Sequence, residues 1–217
     1  MYQTIQKTIR DILSPKVLAF ILKIGLASIA VWVAVLWIFW DSFESFITSY
    51  LTWMPWEWMQ ESVAYIAALL VGYTLIIGTV SLLTSLLSEK LLIELAHKHY
   101  PTQKVHASPS MTGSVMVTIK ATLIFLILFL VLFPLIFVPF LGQVVMLYLW
   151  SILLKAPTVH DVGGLFITDQ QLLKAKSKHS TLIAMIASLF NYIPLLNIFA
   201  PIFAQILFLH HLLQSKI

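Results

Sequence analysis

The chain is 217 residues long, 60% hydrophobic and 10% charged, with a mean hydropathy of +0.95. That balance places it among integral membrane proteins, because a soluble core of this size does not need so much apolar surface, and it leaves no room for a separate soluble catalytic domain. Basic residues outnumber acidic ones by 13 to 9, and the absence of cysteine excludes a disulfide framework and a thiolate metal site.

Residues 1–217 read as one all-α membrane domain. No short apolar core with a small-residue cleavage site opens the sequence, so no removable leader is expected. Residues 2–13 put Tyr2, Ile5, Ile9, Ile12 and Leu13 on one helical face and Gln3, Gln6, Lys7, Arg10 and Asp11 on the other. That pattern suits an amphipathic helix on the membrane surface, or a soluble helix packed on a loop. Ser14-Pro15 restarts the helix, with Ser as its cap and Pro in its first turn. The first span, 17–40, is about 36 Å long, and Lys23 is its one charge. The loop 41–61 carries Asp41, Glu44, Glu57 and Glu61 without a Lys or Arg, and Trp40, Trp53, Trp56 and Trp58 mark a headgroup belt around it.

Residues 62–88 return as a second span of about 40 Å, and the helix is expected to extend to 98. A polar, proline-punctuated connection leads to a first hairpin at 115–154, with arms 115–138 and 143–154. The second of these arms, at about 18 Å, is too short to cross. A surface helix at 167–179 carries Lys174, Lys176 and Lys178. The last apolar run, 181–213, would reach about 50 Å as one helix, far beyond the hydrocarbon of a bilayer. Broken at Pro194, its arms of about 20 and 24 Å are too short to cross twice. It is expected to form a second hairpin that enters and leaves by the same side, turning between Pro194 and Asn197.

The two tips repeat one design. Phe137-Val138-Pro139-Phe140-Leu141-Gly142-Gln143 and Tyr192-Ile193-Pro194-Leu195-Leu196-Asn197 both read aromatic, β-branched, proline, two apolar residues, then Gly or Asn. Pro fixes φ and stops the helix, while Gly142 and Asn197 tolerate the left-handed conformation. Irregular backbone at membrane depth survives only under protein cover or lining a wet cavity. With this topology all 13 Lys and Arg fall on one side of the membrane or within two turns of it. By the positive-inside rule that side is the cytoplasm, and both termini lie there.

Ala187-Ser188-Leu189-Phe190-Asn191-Tyr192-Ile193-Pro194-Leu195-Leu196-Asn197-Ile198 resembles the Ile-Pro-Leu-Leu-Asn hairpin of the CysZ sulfate-permease family, which shares a domain with the etoposide-induced-protein family. Val138-Pro139-Phe140-Leu141-Gly142-Gln143 resembles its Ile-Pro-x-x-Gly-Gln turn, and Ser85-Leu86-Leu87-Ser88-Glu89 its Gly-Leu-Leu-Ala-Glu. Order and spacing hold from Pro15 to Leu212. The resemblance implies a multi-pass protein of the bacterial inner membrane, with two long spanning helices and two hemi-penetrating hairpins. It also implies a homo-oligomer that passes sulfate for cysteine synthesis. The sequence departs from the family at three places: Leu18 and Ala19 stand where its members carry an Arg pair, Ser85 replaces a Gly, and Lys155-Ala156-Pro157 replaces Asp-Tyr-Pro.

Lys16 and Lys23, seven apart at the start of the first span, share a face and are candidate anion-binding residues, or ordinary positive-inside flanks. Thr74, Gly78, Ser81, Ser85 and Ser88 form a stripe that ends beside Glu89, which suits either a hydroxyl-lined pore or a helix-packing seam. Glu89 itself reads as one half of an ion pair or as a gate. At the tips, Pro139, Gly142, Gln143, Pro194, Asn191 and Asn197 make turns or face a channel. Lys120, inside an apolar arm, lies near the interface or on a wet interior. His97, His99, His106, His160, His210 and His211 lack local metal-ligand spacing, so no metal or other cofactor is expected. With no catalytic constellation visible, an enzyme is not expected, and the sparse basic segments do not point to nucleic acid. The leading reading is an oligomeric anion conduit in a lipid bilayer, taking sulfate or a similar oxyanion. A nonconducting membrane scaffold that keeps the fold is the alternative.

Overall fold

The computed structural model describes residues 2–50, 52, 56–106, 109–178 and 180–214; Trp53 of the expected belt and the side chain of Glu57 lie outside that description. In chain order the helices are α1 (Tyr2–Ile12), α2 (Pro15–Ile38), α3 (Trp40–Ser49), α4 (Glu57–Leu87), α5 (Glu89–His99), α6 (Met111–Ile136), α7 (Leu141–Thr158), α8 (Gln170–Ser177), α9 (Ser180–Ser188) and α10 (Ala200–Gln214). A π-helical turn, Val159–Gly163, continues α7, and two short 3₁₀ turns lie between α9 and α10. No strand occurs among the described residues. Four helical segments are long and apolar enough to cross a membrane: 15–38, 58–87, 111–136 and 141–163. The chain is an all-α integral membrane protein, and it folds as two compact units, one of residues 1–18 and 87–217, the other of residues 19–86.

In the unit of residues 19–86, Ile21, Ile24, Ala64, Ala68 and Val80 are buried. Trp32 donates through Nε1 to Thr79 Oγ1 at 2.7 Å, and Trp40 stacks on Tyr65 with ring centroids 5.6 Å apart. The acidic loop is partly helical, as α3. The long apolar side chains Leu22, Trp37, Leu69 and Leu82 remain exposed, as a lipid-facing surface requires.

In the other unit α10 is central. Every residue from Ile202 to His210 is buried, the pattern of a helix enclosed on all sides, and α1, α5, α7, α8 and α9 pack around it. Lys176 donates to the Leu212 carbonyl at 3.1 Å, satisfying a group that the helix end leaves open. The α1 helix lies on α10 through Thr4, Thr8, Asp11 and Ile12, leaving Tyr2, Ile9 and Leu13 exposed. The sequence put Asp11 on the polar, solvated face; the structure buries it completely. His210 reaches it at 2.9 Å, His99 at 2.8 Å and Lys98 at 3.0 Å, so the cost of burying the charge is offset by three donors. Burial alone would raise the Asp11 carboxyl, but hydrogen bonds from His210, His99 and Lys98 outweigh it and hold it well below the usual carboxylate range. Burial, and then the nearby Asp11 charge, push the Tyr100 phenol up to about 12. Ser14, expected as an accepting cap, instead donates its hydroxyl to the Asp11 carbonyl at 2.5 Å.

Two hairpin features differ from expectation. The left-handed backbone falls on Phe140 (φ 63°) and Leu195 (φ 68°), each directly after the tip proline, and not on Gly142 or Asn197. The Leu141 amide donates to the Pro139 carbonyl at 2.7 Å, closing a γ-turn about Phe140. Gly142 is needed for a different reason: a Cβ there would run into the Ile136 backbone carbonyl. The second feature is length. Helix α7 runs through Pro157 and on into the π turn. Both arms of the first hairpin therefore reach across a bilayer by length. The α9 and α10 arms of the second hairpin are 9 and 15 residues long.

Gly142→Ala is expected to lower the thermal midpoint in detergent, by about 2 kcal/mol or more of stability, because backbone must move to admit the methyl. Phe140→Gly should leave the midpoint unchanged or raise it, since the left-handed cost of about 1 kcal/mol disappears. Asp11→Ala strands three donors, one of them the fully buried His210, and should cost about 3 kcal/mol in the same measurement.

Candidate functional site

The clearest concave site lies within the unit formed by residues 1–18 and 87–217. Helices α6, α7, α8 and α9 and the π turn enclose a cavity of 730 Å³. Helical periodicity builds it. Tyr148, Ser151, Ile152, Lys155, Ala156 and Val159 recur every three or four residues, so one face of α7 and its continuation forms a wall. Gln170, Leu173, Lys174 and Ser177 do the same along α8, and Val117 and Lys120 close it from α6. Asp169 starts α8 by accepting from the Gln171 and Leu172 amides at 2.8 and 3.3 Å, which sets the angle at which Lys174 meets the cavity. Ser110 caps α6 by accepting from the Gly113 amide at 3.2 Å.

The polar lining is cationic. Lys120, Lys155 and Lys174 border the space, with His160 beside them, and no Asp or Glu lines it among the described residues. Lys155 is half-buried, and its ammonium donates to the Thr181 hydroxyl at 2.9 Å rather than to an acid. An ammonium held by a neutral hydroxyl keeps its full charge for an incoming anion, and the hydroxyl hydrogen of Thr181 remains free to point at the same guest. The apolar floor of Val117, Ile152 and Leu173 lowers the local dielectric and strengthens that attraction.

The residues singled out in the sequence fall elsewhere. Lys16 forms a surface ion pair with Glu94, and Lys23 is exposed on α2. Thr74 and Ser81 donate their hydroxyls to the carbonyls of Leu70 and Ile77, at 2.8 and 3.0 Å. Hydroxyls committed in this way offer a passing ion only lone pairs, which suit a cation better than an anion. Gly78 and Ser85 are exposed, Ser88 is buried at the break between α4 and α5, and Glu89 opens α5. Pro139, Gln143 and Pro194 are exposed, Asn197 is half-exposed and Gly142 is buried. Of the residues weighed earlier, the cavity gathers Lys120, Lys174 and His160, and it adds Lys155, Thr181 and Tyr148. The signal that could have found it was the α7 spacing of Tyr148, Ser151 and Lys155, had the helix been read through Pro157.

Near one end of the cavity, Ser114 donates to Asp161 Oδ1 at 2.7 Å, and His160 Nδ1 meets the same oxygen at 3.2 Å. Ser114 Oγ also lies 3.4 Å from His160 Nδ1, but its shorter bond goes to the carboxylate, whereas a nucleophilic relay needs the serine to donate to the histidine. The trio fixes the π turn against the start of α6.

The lysine cavity predicts a binding result. Sulfate added to the purified protein should raise its thermal midpoint, and Lys155→Met should weaken that binding about tenfold or more, the worth of one charge-assisted hydrogen bond.

Residues 4–201 match the sequence profile of a family described as "Sulfate transporter CysZ/Etoposide-induced protein 2.4". No curated protein and no solved structure matches the chain.

Proposed function

Because the chain belongs to the Sulfate transporter CysZ/Etoposide-induced protein 2.4 family, we propose that it is an anion conduit or permease that holds sulfate or a similar oxyanion in the lysine cavity. The observation that carries this reading is the Lys155–Thr181 contact: a half-buried ammonium in a cavity with two further lysines and no lining acid. Three like charges repel one another, and an anion among them relieves that repulsion. The family resemblance puts an Asp at the Lys155 position, so this chain has an attractive charge where its relatives have a repulsive one.

The cavity belongs to the end of the first hairpin where α6 begins and α7 finishes, the end that the positive-inside rule assigns to the cytoplasm. Its role is then that of an inner vestibule in a bacterial inner-membrane protein with both termini cytoplasmic. Lys attracts without the bidentate grip of Arg, and a conduit needs an ion to leave as readily as it enters. The hairpin tips support assembly as a homo-oligomer. Phe140 is 89% and Leu195 70% exposed, and the irregular backbone there needs cover at membrane depth, which a second copy would supply.

A second reading, a nonconducting scaffold, is favoured by one observation: Lys16 is taken up by Glu94, and Leu18 and Ala19 leave no arginine near it to replace it. Labelled-sulfate flux into proteoliposomes decides. Wild-type protein should pass sulfate, and Lys155→Met with Lys174→Met should cut the flux at least tenfold. Flux that falls only on Lys16→Ala with Lys23→Ala would move the site to the first span, and a wild type that passes no oxyanion leaves the scaffold.

A further inference from the structure

The cluster around Asp11 is built like more than a hydrogen-bonded clamp. His99 Nε2 and His210 Nε2 converge on one oxygen, Asp11 Oδ2, at 2.8 and 2.9 Å. One carboxylate oxygen and two imidazole nitrogens, each able to ligate, lie within 4.8 Å of one another. The two rings lie edge to face, with centroids 5.0 Å apart and planes at 83°, so both imidazoles fit around the one carboxylate oxygen without stacking on each other. Asp11 and His210 are fully buried, and the His99 side chain keeps 16% of its surface exposed.

We propose that Asp11, His99 and His210 form a binding site for a divalent transition-metal ion, Zn²⁺ by its ligand chemistry, that joins α1, α5 and α10. Two histidines and one carboxylate are a ligand set that Zn²⁺ takes at about 2.0–2.2 Å, with a fourth position left for water. A tetrahedral arrangement at those lengths separates ligand atoms by about 3.3 Å, so the two nitrogen–oxygen contacts need to open by about half an ångström. The exposed edge of His99 gives that water its route.

The surrounding groups fit the same assignment. His210 has its second nitrogen, Nδ1, held by the Tyr100 hydroxyl at 3.1 Å, the outer contact that orients a ligating imidazole. A hydroxyl can donate or accept. Without metal, Nε2–H serves Asp11 and Tyr100 donates to Nδ1; with metal on Nε2, the proton lies on Nδ1 and Tyr100 accepts it. Neither state strands a buried group. Lys98 approaches the other carboxylate oxygen, Oδ1, at 3.0 Å and is half exposed, so it can remain there or swing into water as the ion enters. Lys7 lies over the Tyr100 ring, 5.2 Å from its centroid, outside the ligand set.

Local spacing hid this site, because it draws one histidine from His97-x-His99 and one from His210-His211, 111 positions apart, plus an acid 88 positions before the first. The test is a Co²⁺ titration of the full chain in detergent, freed of any affinity tag and stripped with a chelator. One equivalent should give the visible bands of four-coordinate Co²⁺, and Zn²⁺ should displace them. His99→Ala, at a partly exposed position, should abolish the bands, exposed His97→Ala should keep them, and Tyr100→Phe should weaken affinity about tenfold or more. No band at one equivalent overturns the proposal, as does a band that survives His99→Ala with wild-type helicity. Should His99→Ala lose its fold, Tyr100→Phe decides, and unchanged affinity overturns the proposal.

Discussion

The unit that carries the lysine cavity depends on α10 being buried all the way round. A helix enclosed on every side needs an apolar surface everywhere, and α10 meets that need with Ile202, Phe203, Ile206, Leu207, Phe208 and Leu209. Gln205 and His210 are the polar exceptions, and His210 is tolerated because Asp11 and Tyr100 satisfy both of its ring nitrogens. The same contact fixes where α1 lies. Thr4 adds a hydrogen bond to Gln214, so the first and last helices are tied at two levels. The α7 and α9 helices pack on each other and on this centre, and both contribute lining to the cavity.

Hydropathy and proline placement made the architecture legible. The all-α membrane class and the long apolar helices can be read from apolar run lengths, whereas the second arm of the first hairpin, read as too short to cross, reaches spanning length in the structure. Two kinds of information were not there to read. One was the fate of a proline inside an apolar helix: Pro157 looks like a stop, yet the helix continues into a π turn that begins two residues later. The other was which polar residues meet across the fold. Asp11 has the periodicity of a solvated face, and only the packing of α1 on α10 turns it inward.

The candidate site shows the same division. Lys120 stands out in the sequence as an odd charge in an apolar arm, and Lys174 as one of a surface cluster; that the two border one space with Lys155 follows from how α8 packs against the π turn and α9. Such a site balances two demands. A cavity that bound an oxyanion through several preorganised guanidinium forks would hold it too long, whereas lysines on flexible stems, with a single threonine hydroxyl among them, attract without locking. The exposed apolar tips add a structural demand of another kind, since the Phe140 and Leu195 backbones are strained and need surroundings that keep them so.

The Asp11–His210 contact also bears on how the polypeptide is made. The two residues are 199 positions apart, so the acid leaves the ribosome long before its partner exists. Until α10 emerges, Asp11 lacks its fully buried partner His210, and α1 cannot take its final seat. The nascent amino-terminal segment keeps Tyr2, Ile9 and Leu13 exposed as an apolar face, and the core of this unit closes only after α10 has been made. A truncation that removes the last helix would thus leave the beginning of the protein unanchored as well as the end.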